Sequence, residues 1–129
     1  EEVPQPKILF KSSARILTQS LRRTIRDAGL VSEHVKIEAT GDMLKINAVG
    51  DMGSIFSEWE RGADELLELK VEEDSDATFT LSYLRDIVNT AGVSSEVATL
   101  ELSKDMPIRM DFELPQGKLV YYLAPCIGA

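Results

Sequence analysis

The chain has 129 residues, of which 43% are hydrophobic and 28% charged, and its formal net charge is −8. This size fits one globular domain with a full hydrophobic core, and the negative charge argues against an ordinary nucleic-acid-binding protein, because such proteins are typically basic. The apolar runs are far shorter than the roughly 18–20 residues that cross a bilayer, and the single cysteine, Cys126, excludes an internal disulfide framework and fits a reducing compartment.

The first half of the chain predicts a strand, a helix and three further strands. Leu17, Leu21, Ile25 and Ala28 follow a helical spacing, and Gly29 is a typical helix stop. Gly and Asp residues separate the later strands. We expect a strand at 8–16, a helix at 19–28 with Thr18 as its N-cap, and strands at 35–39, 44–49 and 54–60.

The second half predicts a similar series. Leu84, Ile87, Val88 and Ala91 form a second apolar stripe, and Gly92 follows it. The acidic residues 72–76 are expected to form a solvated loop. We expect a strand at 66–71, extended chain at 78–80, a helix at 81–91, and strands at 97–102, 108–114 and 118–123.

The two halves are related by an internal repeat. Residues 21–43 and 84–106 are identical at nine of 23 positions at a constant offset of 63. The sequence therefore predicts a duplicated βαβββ unit, with repeats at about 7–60 and 65–124. Helices segregated to one face of antiparallel sheets make this an α+β fold.

Charge is unevenly distributed along the chain. Residues 7–26 contain six basic residues and no acid, whereas residues 51–76 contain ten acidic residues and only Arg61 and Lys70 as bases. One surface can therefore be basic on an acidic body.

Three stretches resemble the C-terminal domain of a PCNA-type DNA sliding clamp of the archaeal kind. They are TFTLSYLRDIV (78–88), KDMPIRMDFEL (104–114) and KLVYYLAPCIG (118–128), the last being similar to the family's closing YYLAPxIE. Two positions depart from that pattern: Cys126 replaces a basic residue and Gly128 an acid. The resemblance implies a DNA-clamp fold over 7–129, with 1–6 as the remnant of an interdomain connecting loop. Because the chain begins at Glu1 rather than Met, we expect it to be part of a longer protein.

The resemblance implies a non-enzymatic role without cofactors. A ring of clamp subunits, a trimer in this family, would encircle duplex DNA and give DNA polymerase its processivity. It would also dock the clamp loader, ligase and flap nuclease in replication and repair. Such a protein would lie in the cytoplasm at the nucleoid, or in the nucleus of a eukaryote. The alternative is an acidic, β-rich protein-interaction module with no DNA role.

Long, permanently charged side chains on the exposed helix face suit phosphates contacted without regard to sequence. Arg22 and Arg26 are neighbours on the first helix, away from its apolar stripe. In the resemblance, the DNA-facing positions map onto Arg15, Arg23 and Arg26, with Lys11, Arg22 and Arg85 as further candidates. Asn89 stands where some family members have lysine, so we expect the second helix to contribute less. A solvated amphipathic face is the alternative interpretation.

The apolar C-terminal tail is unusual for an acidic protein. In clamps, client proteins insert a short peptide with an apolar plug beside this region, a mode that needs a preformed pocket and an extended segment. By resemblance, the pocket residues are Val3, Pro4, Thr80, Pro107, Tyr122, Ala124, Pro125 and Ile127. The simpler alternative is that Tyr121 and Tyr122 only alternate between the two faces of a strand.

The strand at 54–60 is expected to be the edge at which clamp subunits pair. Alternation turns Ile55, Ser57 and Trp59 inward, and Phe56, Glu58 and Glu60 outward. An exposed edge is a template for another strand, although an ordinary internal strand would carry the same pattern. The whole interface segment is Ser54, Ile55, Phe56, Ser57, Glu58, Trp59 and Glu60.

Enzymatic and metal-binding interpretations are poorly supported. His34 is the only histidine, and its counterpart in the repeat is Val97, while Cys126 has no activating neighbour in sequence. The acidic run 72–76 lacks the ligand spacing and central glycine of a calcium loop. We therefore expect no catalytic residues and no metal site.

Overall fold

The computed structural model describes residues 7–127, which form two helices and nine strands. The first half contains β1 (Ser12–Leu17), α1 (Thr18–Ala28), β2 (His34–Ala39), β3 (Met43–Val49), β4 (Ser54–Glu60) and β5 (Leu66–Val71). The second half contains β6 (Ser75–Thr80), α2 (Leu81–Ala91), β7 (Val97–Leu102), β8 (Ile108–Leu114) and β9 (Gly117–Leu123).

The strands form two antiparallel sheets, which confirms the predicted α+β class. The five-stranded sheet has the order β5-β1-β7-β8-β9, and the four-stranded sheet has the order β4-β3-β2-β6. Neither sheet is built from one half of the chain: β1 pairs with β5 and β7, whereas β6 pairs with β2. Each half thus donates its first strand to the sheet of the other half.

The element bounds follow the internal repeat. Adding 63 to the bounds of β1, α1 and β2 gives those of β6, α2 and β7. After β7, structurally equivalent residues of the two halves differ by 64 in number. Leu44, Ile46 and Ala48 of β3 point into the core, and the buried residues at the equivalent positions of β8 are Ile108, Met110 and Phe112. The added residue is Pro107, directly after the Asp-Met pair that both halves share. Since β6 matches β1, β5 connects the two units and does not begin the second.

The core lies between the sheets and the helix pair. Strands alternate buried and partly exposed residues, as β1 does with Ala14 and Ile16 facing inward. Leu21 and Ile25 of α1, and Leu84 and Val88 of α2, join the same cluster, as the predicted helical stripes require. Leu17, which was predicted to belong to the first stripe, is instead the last residue of β1 and only partly buried. Phe79 and Phe112 are among its largest fully buried side chains.

The two helices pack antiparallel, each ending beside the other's first half. Gln19 Nε2 donates to the Gly92 carbonyl at 3.0 Å. A Cβ at Gly92 would lie 2.5 Å from the Val88 oxygen and 3.1 Å from Arg22 Cδ, and one at Gly29 would lie 3.0 Å from Leu81 Cδ2. Both glycines have right-handed φ values, so they are needed for close approach and not for a left-handed turn.

Several predicted boundaries were wrong. The first strand begins at Ser12 and not at 8, because the Lys11 amide donates to Ser103 Oγ instead of continuing the ladder. Thr18 is not an N-cap: it is the first residue of α1, its side chain is buried, and its amide donates to the Glu96 carbonyl at 2.9 Å. Ser75 and Asp76 belong to β6 and not to the acidic loop.

Candidate nucleic-acid and partner interfaces

The exposed face of the helix pair carries a basic groove. Its volume is about 440 Å³. Because α1 and α2 are antiparallel, arginines from both helices line one surface. The residues lining it are Gln19, Arg22, Arg23, Arg26, Arg85, Val88 and Asn89, which we call the arginine groove.

Arg22 joins the helices across the groove. Its Nε donates to Asn89 Oδ1 at 3.1 Å, and its stem lies over Gly92. Arg85 has the equivalent position in the second half, with its guanidinium 3.8 Å from the Cβ position of Gly29. Each of these arginines therefore lies near the carboxyl end of the other helix, where the helix dipole favours a positive charge.

Arg23 and Arg26 project toward solvent. The Arg23 guanidinium lies 3.6 Å from Glu65, and that of Arg26 lies 3.6 Å from Asp27. These pairs are exposed, so they hold the guanidinium groups weakly, and a phosphate can replace the carboxylate.

Glu65 is the acid that borders the groove. Its carboxylate accepts a hydrogen bond from Trp59 Nε1 at 3.1 Å. Hydrogen bonds from Ser20 and Trp59, together with the charge of Arg23, hold the pKa of Glu65 below its ordinary value. Glu65 therefore stays ionised in mildly acidic solution. The sequence alone does not single out Glu65, since nothing in the spacing of an acidic stretch distinguishes it from its neighbours.

Two of the predicted DNA-facing residues lie elsewhere. Arg15 alternates with buried Ala14 and Ile16 on β1, so it projects from the outer face of the five-stranded sheet, where it binds Glu113 at 2.8 Å. Lys11 precedes the first residue of β1, whereas α1 follows the last one. At the usual rise of a strand, about 20 Å separate Lys11 from the start of α1. The structure brings together Arg22, Arg23, Arg26 and Arg85, but neither Arg15 nor Lys11.

The C-terminal tail runs beside the outer edge of β6. The Cys126 amide donates to the Thr78 carbonyl at 2.8 Å, and Cys126 Sγ lies 3.1 Å from Thr80 Oγ1. The tail thereby leaves one sheet and reaches the other. Ile127 is 80% exposed, so the end of the described tail presents an apolar side chain to solvent.

Three other predicted pocket residues share the outer face of β8 and β9. Tyr122 lies opposite Arg109, and continuing the register places Ala124 opposite Pro107. Tyr121 points the other way and meets the Phe112 ring edge to face at 6.0 Å, so the expected alternation of the two tyrosines is confirmed. Val3 and Pro4 lie outside the described residues.

β4 forms one end of the four-stranded sheet. Ile55, Ser57 and Trp59 are partly buried and Phe56, Glu58 and Glu60 are exposed, as the alternation predicts. Phe56 is 67% exposed, which is high for an aromatic side chain. The position of β4 as an edge, and not an internal strand, leaves it open to strand pairing.

The two residues considered for catalysis, His34 and Cys126, both lie beside Thr80. His34 is exposed at the start of β2, opposite Thr80. Within residues 7–127, no group of three or more His, Cys, Asp or Glu side chains could hold a metal ion. Among those same residues, neither helix has the length and apolarity of a membrane span.

The chain is similar in sequence to DNA polymerase sliding clamps. The DNA polymerase sliding clamp 1 of Pyrobaculum aerophilum is 32% identical over 126 residues, covering 97% of this chain and 51% of that protein. The clamp of Thermofilum pendens is 35% identical with the same coverage. The chain thus spans about half the length of the curated relatives it matches.

The fold also matches a solved structure. PCNA from Thermococcus kodakaraensis superposes with a TM-score of 0.88 over 98% of this chain and 52% of that one, at 21% identity, which shows the common fold. The family described as "Proliferating cell nuclear antigen, C-terminal domain" matches residues 5–127. The chain therefore belongs to the family of PCNA C-terminal domains.

Proposed function

We propose that this chain is one domain of a DNA sliding clamp, a non-enzymatic ring that surrounds duplex DNA and holds DNA polymerase on it. The observation that carries the proposal is the arginine groove. A concentrated set of guanidinium groups lies on the helix face of a protein whose net charge is −8. Such a distribution attracts phosphates at one surface and repels them elsewhere.

The form of the groove suits sliding. Guanidinium groups contact phosphates through charge and hydrogen bonds that carry no base information. Arg23 and Arg26 are also free to exchange one phosphate for the next, because their protein partners are exposed carboxylates 3.6 Å away. Attraction of this kind is weak and sensitive to salt, so a closed ring would supply retention.

Binding of duplex DNA to the 129-residue chain tests the proposal. Fluorescence anisotropy with a labelled duplex at low salt should show weak binding that decreases as salt is added. The double variant Arg23→Glu/Arg26→Glu should lower the slope of log K against log salt by about 2, since each lost phosphate contact contributes about 0.9.

The matched control places the same charge change on another surface. Arg15→Glu/Lys70→Glu alters two basic residues of β1 and β5, which belong to the five-stranded sheet and lie outside the groove. This control should retain most of the DNA binding. An equal loss of DNA binding in both double variants would show that binding depends on net charge and not on the arginine groove. It would favour the protein-interaction module without a DNA role.

We also propose that client proteins dock at the tail. An extended peptide would lie along residues 124–127, with its apolar plug near Pro107, Tyr122 and Ala124, where small and rigid side chains leave room. The bonds of Cys126 to Thr78 and Thr80 support this, because they hold the tail in an extended form before a client arrives. Val3 and Pro4 would complete the groove.

Heteronuclear NMR can test client docking. A peptide with one apolar plug and two aromatic residues should shift the amide signals of Tyr122, Ala124, Cys126 and Ile127, and those of Met106 and Ile108 on either side of Pro107. A variant carrying Ala124→Trp should lose these shifts, while Leu67→Trp on β5, an exposed site, should not. Shifts elsewhere on the molecule would overturn this assignment. Polymerase, clamp loader, ligase and flap nuclease are the proposed clients, and the cytoplasm is the proposed location.

For β4 we propose pairing with a neighbouring clamp subunit through residues 54–60. Its edge position and the exposed Phe56 support this role. Crosslinking of a cysteine introduced at Ser54 to the neighbouring subunit of an assembled clamp would test it.

A further inference from the structure

The outer face of the four-stranded sheet carries a second hollow, on the other side of the molecule from the helix pair. Its volume is about 400 Å³. The strand register sets one residue of each strand in a row across it, and two further residues of β2 and β3 lie beside that row. We call this surface the sheet hollow, and its residues are Phe56, Asn47, Lys36 and Thr78 in the row, with His34 and Val49 beside it.

One half of the sheet hollow is apolar and the other half is polar. Phe56 is 67% exposed and Val49 is 65% exposed, so β3 and β4 present two neighbouring apolar side chains to solvent. β2 and β6 supply the ammonium group of Lys36, the imidazole of His34 and the hydroxyl of Thr78. A ligand that fits both halves must itself have a polar part and an apolar part.

Lys36 gives the polar half its charge. Among the described residues that line the sheet hollow, Lys36 is the one permanently charged group. Its ammonium lies 3.8 Å from the Asp76 carboxylate, but the ammonium of Lys104 lies closer to the same carboxylate, at 3.3 Å. Asp76 is therefore compensated without Lys36, and Lys36 can bind the carboxylate of a ligand.

Asn47 adds a hydrogen-bond acceptor that is not used. Its Oδ1 atom is buried and accepts no hydrogen bond from the part of the chain that the structure describes, residues 7–127. A buried acceptor without a donor costs free energy, and a peptide N–H is a suitable donor. The lining thus offers partners for the backbone of a ligand as well as for its side chains.

We propose that the sheet hollow binds an acidic segment of a client protein. A carboxylate of the segment meets Lys36, with His34 as a second hydrogen-bond donor, and an apolar side chain covers Phe56 and Val49. The net charge of the chain is −8, so most of its surface repels an acidic segment, and the sheet hollow is a local exception. Complementary charge of this kind directs a partner to one site.

The sheet hollow adjoins the tail, and the client origin of the segment rests on the docking proposed there. The Cys126 amide donates to the Thr78 carbonyl, and Thr78 pairs with Lys36, so the tail, β6 and β2 lie side by side. Two strand spacings, about 10 Å, separate the tail from Lys36, and an extended peptide covers that distance with about three residues. The acidic residue of a client should therefore lie about three residues from those that contact the tail, with the apolar residue just beyond it.

Heteronuclear NMR of the 129-residue chain provides the first test. The probe is a capped pentapeptide, Ser-Asp-Ser-Leu-Ser, and its matched control has Asn in place of Asp. The aspartate peptide should shift the amide signals of His34, Lys36, Asn47 and Phe56. The control peptide should bind about threefold more weakly, which is the usual size of one exposed ion pair.

Two serine substitutions on the same face of the sheet separate the sheet hollow from an effect of net charge. Lys36→Ser should weaken binding of the aspartate peptide about threefold, to the level of the control peptide. Lys45→Ser removes the same charge from β3, one row away between Glu38 and Glu58, and should retain most of the binding. Phe56→Ser should weaken both peptides at least about threefold, because the leucine loses its apolar contact.

A longer peptide, in which the acidic segment extends the apolar plug, tests the connection to the tail. The extension should tighten binding to the unaltered chain, and Lys36→Ser should remove that gain. If the plug alone fails to bind while the pentapeptide still shifts the sheet hollow, docking at the tail is wrong and the sheet hollow stands. The reverse result overturns the sheet hollow and leaves docking at the tail intact.

Two further outcomes would overturn the inference. At about 10 mM peptide, amide signals respond even to dissociation constants of about 100 mM, so unshifted signals in the sheet hollow would mean that no such site exists. Equal weakening by Lys36→Ser and Lys45→Ser would make net charge the cause. The amide spectrum of each variant verifies that weaker binding is not a lost fold.

Discussion

The helices α1 and α2 have the same length and equivalent places in the fold, but their surfaces differ. Arg22, Arg23 and Arg26 of α1 correspond to Arg85, Asp86 and Asn89 of α2 at the offset of 63. The first of these positions is an arginine in both helices, and each arginine lies near the glycine that ends the other helix. The solvent-facing positions have changed charge. Duplication has therefore preserved the arginine that lies near each glycine, but not the hydrogen bond of Arg22 to Asn89, because the counterpart of Asn89 is Arg26. Of the two helices, α1 carries most of the positive charge.

The core shows a second difference between the halves. Phe112 of β8 occupies the place that Ala48 has in β3, and both are buried. Phe112→Ala should lower the free energy of unfolding by about 3–5 kcal/mol, because it leaves a cavity beneath Tyr121. Ala48→Phe should lower it by about 1–3 kcal/mol through overpacking. Urea denaturation measures both, and equal small effects would show that the two halves of the core adjust to either size.

A single exchange on α2 can make its surface resemble that of α1. Asp86→Arg adds a guanidinium at the position equivalent to Arg23 and removes an acid. We expect tighter DNA binding and a steeper salt dependence, by about 1 in the slope. Asp86→Asn, which removes only the acid, should leave the slope nearly unchanged. If the two variants bind alike, α2 does not face the DNA.

The contact between the helices should be uneven in strength. Arg22→Ala removes the hydrogen bond to Asn89 and should reduce the stability of the fold by about 0.5–1 kcal/mol. Arg85 is more exposed, and Arg85→Ala should have a smaller effect. Thermal unfolding of the two variants compares them directly, and the reverse order would contradict the assignment of Arg22 as a joining residue.

The smallest expected effect concerns pH. Because the folded pKa of Glu65 is lowered, its contribution to stability is fully present above the unfolded pKa of about 4.3 and is lost as pH falls through the lower folded pKa. Glu65→Gln should therefore remove part of the loss of stability in acid, and an unchanged loss in this variant would contradict the role of Glu65. Urea midpoints measured from neutral pH downward through the unfolded pKa provide the test.

Much of the fold was predictable from particular residues. The apolar stripes of both helices, the identities between residues 21–43 and 84–106, and the alternation at 54–60 follow from periodicity, which reflects burial directly. The start of β1 at Ser12 and the buried Thr18 were not predictable, because they depend on Ser103 and Glu96, which are distant in sequence.

The candidate site was predictable in part, for the same reason. Spacing on a helix places Arg22, Arg23 and Arg26 on one exposed face without further information. The position of Arg15 depends on which face of the sheet its side chain occupies. That face is set by how β1 inserts between β5 and β7. The hydrogen bond between Arg22 and Asn89 depends on the packing of two helices, which neither helix specifies alone.

The exchange of β1 and β6 between the sheets has a consequence for how this protein can be divided. β1 lies between β5 and β7, so a fragment that starts after β4 would have a gap in the middle of its sheet. A cut in the turn at 61–64 should therefore leave two pieces that remain bound to one another. Produced separately, neither piece should fold, and mixed together they should reconstitute the domain. The two halves of a split reporter protein could therefore be fused at this turn, one to each piece, and the domain would keep its native arrangement.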